Sequence, residues 1–243
     1  MSQLNPNEKY SEIMKTLDNL NDEDILSEFM HHKLLFDLKS IGVKSEAITE
    51  LEMLIHFYGN KRNELVASAR KLIAISSNKF NHFYNITSVL SGFFEIDIIV
   101  EYLEKIEPSH NKQLNYLVAS TAILFYFING NLDRAKEKFG SIFDQNDYYR
   151  FEHLKTLMLK ENLSTNDFDR IKKVVEKVVK DNNLRIIVID HSFLEQENLF
   201  DIRIPANVDR AYELNDELFD KLYDLGLLRV QNALTYSFCP SSM

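Results

Sequence analysis

The chain has 243 residues, a formal net charge of −9 and a sequence pI near 5.3, with 45% hydrophobic and 27% charged residues. That balance suits a folded protein with a sizeable core and excludes a globally disordered chain. The acidity works against the phosphate backbone of nucleic acid, and the scarcity of breakers (6 Gly, 4 Pro) favours long helices over many short strands.

Residues 1–20 read as a flexible N-terminus. A helix is expected over 22–39, capped by Asn21 or Asp22, with Ile25, Phe29, Leu34, Leu35 and Leu38 as its apolar stripe and Gly42 just past its end. Helices over 45–58 and 61–75 follow, separated by Gly59-Asn60. Then come 80–91, a break at Gly92, and 97–106, which Pro108 closes. The helix 112–128 contains the longest apolar run, residues 116–128, too short for the roughly 18 apolar residues of a membrane span. Asn129-Gly130 breaks it, and helices over 132–143, 148–161 and 165–180 complete the series. The last carries Phe168, Ile171, Val175 and Val178 on one face. The basic run Arg170 to Lys180 therefore reads as the solvated side of a helix, not as a nucleic-acid stripe.

The turn glycines Gly59, Gly92 and Gly130 lie 33 and 38 residues apart, the range of helix-pair repeats. Residues 116–147 carry the clearest unit. Ala119, Ala122, Ile123 and Tyr126 occupy the packing positions of a first helix, Asn129-Gly130-Asn131-Leu132 forms the turn, and Ala135, Phe139 and Ile142 occupy those of a second. This segment resembles a tetratricopeptide repeat. It departs from the pattern at Ile123, where a small residue is usual, and at Asp147, where proline is common. The resemblance implies an α-solenoid-like stack of helical hairpins over 21–182 that binds another protein, as an adaptor or a subunit of a larger complex.

From residue 183 the pattern changes. "LRIIVIDHSF" has the β-branched run of a strand, and "LFDIRIPA" alternates apolar and polar residues. A helix over 207–225 is stopped by Gly226, and "RVQNALTYSF" reads as a closing strand. The expectation is a small β-β-α-β domain over 183–243. It is read as an α/β cap on the helical part, with a winged-helix-like module as the alternative.

Two sets of residues are candidates for function. Asp190 and His191, at the end of a strand, with Asp201 and Arg203 ten residues on, faintly resemble the carboxylate pattern of metal-dependent nucleases. Arginine is a poor stand-in for the usual lysine because it does not readily exchange a proton. The competing reading is an exposed hairpin with Asp190-His191-Ser192 as its turn. The second set is aromatic: Phe80, His82, Phe83 and Tyr84, and Tyr148, Tyr149 and Arg150, a candidate partner groove near helix ends. His31 and His32 point about 100° apart on their helix, so no shared metal is expected there. His56 stands alone beside aromatics. No phosphate-binding glycine loop, zinc motif or nucleophile elbow is present, so no cofactor is expected. A single cysteine, Cys239, and the lack of a signal core or membrane span lead to the expectation of a cytoplasmic protein.

Overall fold

The computed structural model describes residues 5–21, 23–108, 111–194 and 197–241. Among them are twelve α-helices and one three-stranded sheet near the C-terminus. The chain divides into two compact units, Met1–Leu90 and Ser91–Met243.

The first unit opens with a correction. Residues 6–18, expected to be flexible, form helix α1 (Pro6–Asp18). Asn5 caps it reciprocally with Glu8: the Glu8 N–H donates to Asn5 Oδ1 at 3.0 Å and the Asn5 N–H to Glu8 Oε2 at 2.8 Å. Pro6, at the first helical position, gives up a donor the helix does not use. Ile13 and Leu17 are buried with Leu26, Leu34, Leu38, Ile41, Leu51 and Ile55 in one core cluster. Helix α2 (Glu28–Ser40) starts later than expected, because Ser27 caps it; Asp22 lies outside the described residues. Ile25 precedes the helix, and Ile25 and Phe29 are exposed. α3 (Glu46–Tyr58), α4 (Arg62–Ile75), a short 3-10 turn (Lys79–His82) and α5 (Phe83–Ser91) follow.

The second unit contains α6 (Ile96–Leu103), α7 (Lys112–Ile128), α8 (Leu132–Phe139), α9 (Gln145–Lys160) and α10 (Thr165–Asp181). α7 and α8 form a close hairpin in which Ala119, Ala122, Ile123, Tyr126, Ala135 and Phe139 are all buried. α8 is shorter than expected and tightens into a 3-10 turn over Gly140–Ile142. Asp147 has a physical reason to replace proline. It accepts from the Asp144 N–H at 3.2 Å, and its own N–H donates to Asp144 Oδ1 at 2.8 Å, a capping box that proline cannot complete.

The sheet is built from β1 (Val188–Leu194), β2 (Glu197–Ile204) and β3 (Thr235–Pro240), in that order. β1 and β2 are antiparallel, with Asp190 opposite Asp201. β3 runs parallel to β2, with Ser237 beside Asp201 and Cys239 beside Arg203. Between β2 and β3 run α11 (Val208–Asp224) and α12 (Leu228–Ala233). The expected β-β-α-β order is therefore corrected to β-β-α-α-β: residues 228–233 are helical, and only Thr235–Pro240 joins the sheet. Period-2 burial buries Phe200, Ile202, Ile204, Tyr236 and Phe238. α11 packs on β3 and α10 through Ala211, Leu214, Leu218 and Leu222; each buried leucine contributes about 1.5–3 kcal/mol.

Candidate functional site

Asp190-His191-Ser192 is not a turn but part of strand β1, so strand alternation decides what those side chains face. Asp190, Asp201 and Arg203 share the partly exposed side of the sheet. Arg203 Nη2 pairs with Asp190 Oδ2 at 2.9 Å, and Cys239 Sγ approaches Asp201 Oδ1 at 3.6 Å. His191 does not join them. Its ring lies on the opposite face, stacked on Phe200 at 4.5 Å and 6.2 Å from Phe127. Three of the four residues thus meet as a cross-strand charge group, while the histidine serves the aromatic core.

The aromatic set is split by burial. His82 and Phe83 are buried, Phe80 is half-buried, and Tyr84 is exposed. The His82 ring lies between two glutamates, 3.0 Å from Glu46 Oε2 and 3.0 Å from Glu50 Oε1. Burial alone would lower its pKa, but the hydrogen bonds to Glu50 and Glu46 outweigh burial and raise it. Glu46 is held at about 2, chiefly by the Ser77 backbone N–H and then by His82. Tyr148 and Tyr149 are exposed, whereas Arg150 is half-buried, with its guanidinium 3.4 Å from Ser120 Oγ.

Two surfaces escaped the sequence reading. The first is the solvent side of α11. Val208, Tyr212, Phe219 and Tyr223 are 50%, 67%, 52% and 65% exposed. At 100° per residue these four fall within an arc of about 60°, and they extend about 22 Å along the helix. Beside them, on the next arc, lie the exposed acids Asp209, Asp216, Asp220 and Asp224. Glu213 on the same side is paired with Arg210 at 2.7 Å, and Lys221 with Glu217 at 3.2 Å. A stripe of three aromatic rings and a valine and a row of carboxylates therefore run side by side. The sequence signal for it is the set of apolar residues at 208, 212, 219 and 223, spaced to fall on one side of a helix.

The second lies at the start of α2. Glu28, His31 and His32, at i, i+3 and i+4, each bring one donor atom to within 4.8 Å of the others. Adjacent residues point about 100° apart on the helix, but their side chains are long enough to bring these atoms within that distance. Glu28 Oε1 lies 3.0 Å from His32 Nε2, and Lys61 Nζ lies 2.9 Å from Glu28 Oε2; the Lys61 hydrogen bond is the main cause that lowers the Glu28 pKa. His31 is buried, and its Nε2 lies 3.2 Å from Nδ1 of the buried His56. Burial lowers the pKa of both rings.

No protein-family profile, curated protein or solved structure matches this chain. Among the described residues no helix is long and apolar enough to cross a membrane.

Proposed function

We propose that the protein acts by binding another protein, and that α11 is the docking surface. The observation that supports this reading is the alignment of Val208, Tyr212, Phe219 and Tyr223 on one exposed arc. Single exposed apolar residues are ordinary, but an aligned row of three rings and a valine keeps a large apolar area in water. Tyr and Phe supply much of the energy at protein interfaces, each able to bury about 150–250 Å². The neighbouring carboxylates define the partner's chemistry. α11 carries six acids against two bases, and both bases are already paired within the helix. The occupant that fits is an amphipathic segment of another protein, with apolar anchors for the rings and lysines or arginines for the acid row.

On this reading the protein is an adaptor or complex subunit of the cytoplasm, where a single cysteine needs no partner. The tight α7–α8 hairpin supports a solenoid-like stack as its scaffold, with Tyr84, Tyr148 and Tyr149 as further exposed rings. The test is a titration of the full chain with a labelled helical peptide of leucines at i, i+3, i+4 and i+7 flanked by lysines. Binding that weakens in high salt, falls in Asp216→Asn/Asp220→Asn and is lost in Tyr212→Ala/Phe219→Ala supports the reading. Binding indifferent to the aromatic pair, or none at all, refutes it.

A further inference from the structure

The first turn of α2 carries a donor set that fits a metal ion. The His31 ring is held in place on two sides. Its Nε2 is engaged by His56 Nδ1 at 3.2 Å, and its carbon edge lies against Gly59. A Cβ on Gly59 would lie 2.3 Å from His31 Cδ2. Gly59 has a φ of −78, which any residue adopts, so the space taken by the imidazole is a constraint on this position that backbone conformation does not impose. The other ring nitrogen, Nδ1, is buried and has no hydrogen-bond partner among the described residues. A buried polar atom left unsatisfied is costly, and such atoms are rare in folded proteins. Beside this ring the Glu28 carboxylate and the His32 imidazole complete a set of three donors within 4.8 Å.

We propose that Glu28, His31 and His32 bind a first-row divalent cation of the zinc class, with His31 ligating through the nitrogen that His56 leaves free. Two imidazoles and one carboxylate suit Zn²⁺, Co²⁺ or Ni²⁺, whereas Mg²⁺ and Ca²⁺ prefer all-oxygen sites. The arrangement follows the usual logic of ligating histidines: one ring nitrogen takes the metal, and the other donates its N–H to a neighbour, here Nε2–H to His56 Nδ1 at 3.2 Å. Glu28 and His32 are exposed, so a fourth position stays open to water or to a ligand atom from a partner. Lys61, 2.9 Å from Glu28, is the built-in competitor for the carboxylate.

That competition supplies a test that a purely structural cluster does not pass. The full chain is stripped with a chelator and titrated with Zn²⁺ by calorimetry, and with Co²⁺ by visible absorption. The proposal predicts one ion per chain, affinity reduced roughly tenfold or more in Glu28→Gln and in His32→Gln, and tighter binding in Lys61→Met. The three substituted side chains lie at or near the surface, so the variants retain the fold. No uptake, uptake unchanged in Glu28→Gln and His32→Gln, or weaker binding in Lys61→Met overturns the assignment.

Discussion

Replacing Gly130 by alanine separates two forces at the α7–α8 turn. Gly130 has a φ of +70, where an alanine costs about 1–2 kcal/mol, offset by about 0.4–1 kcal/mol from the stiffer unfolded chain. It is also packed against α10. A Cβ there would lie 2.9 Å from Phe168 Cβ and 3.2 Å from the backbone Cα of Thr165. Neither neighbour can retreat easily. Phe168 is fully buried and edge-on to Phe127 at 5.1 Å, and Thr165 is tied to the turn by its hydroxyl, which donates to the Gly130 carbonyl at 3.1 Å. Overpacking of this kind adds about 1–3 kcal/mol, for a net loss of about 1–5 kcal/mol. Gly226, in the same unit, is the control. Its φ is +66, but nothing lies within 4 Å of its Cβ position, so Gly226→Ala should lose only about 1 kcal/mol. Urea unfolding followed by circular dichroism measures both. Equal losses in the two variants would refute the claim that helix packing, beyond backbone conformation, fixes Gly130.

The Glu46–His82–Glu50 group makes stability depend on pH from both sides. Glu46, held at about 2 against an ordinary 4.5, stabilises the fold above about pH 4.5, and that contribution fades as the pH falls toward 2. His82, raised above its ordinary 6.5, contributes fully below about pH 6.5 and loses its contribution as the pH rises through the folded value. Urea midpoints measured across this range should show His82→Gln flattening the alkaline limb; an unchanged limb contradicts the pairing. The Tyr236 hydroxyl is buried and makes no hydrogen bond among the described residues, so Tyr236→Phe should leave stability unchanged or raise it by about 1 kcal/mol. A loss of that size in thermal unfolding would mean that the hydroxyl has a partner. Asp144→Ala removes the cap of α9 and should cost about 1 kcal/mol, read from the urea midpoint; no loss would mean that the capping box contributes nothing.

Helix positions were legible where a stop signal coincided with apolar periodicity. Gly130 and Phe168 mark the α7–α8 turn and the buried face of α10 in the sequence as they do in the structure. Capping boxes were the main loss. Asn5-Pro6-Asn7-Glu8 announces a helix, yet the polar composition around it reads as a loose end. The same holds for Asp144 and Asp147, where an expected proline position hides a second box. The segment 228–233 has strand-like residues but folds as a helix, because tertiary packing outweighs β-propensity over so short a run. Candidate sites were less legible than the fold. Strand alternation separates His191 from Asp190, Asp201 and Arg203, a consequence of β1 extending through residues that look like a turn. The pattern Glu28-x-x-His31-His32 spans the first turns of α2, but helical angle alone hides the reach of long side chains. On α11 the buried leucines dominate the periodicity and mask the rings beside them.

The account rests most heavily on the exposed face of α11. A photo-reactive phenylalanine analogue placed at position 219 in the full chain, expressed in its native cells, tests it directly, with the same analogue at Tyr84 as the comparison. The account predicts that position 219 captures one partner, that the captured peptide is rich in lysine or arginine around apolar residues, and that Asp216→Asn/Asp220→Asn lowers the yield. Capture at Tyr84 with none at position 219, or a captured peptide that is acidic, would contradict it.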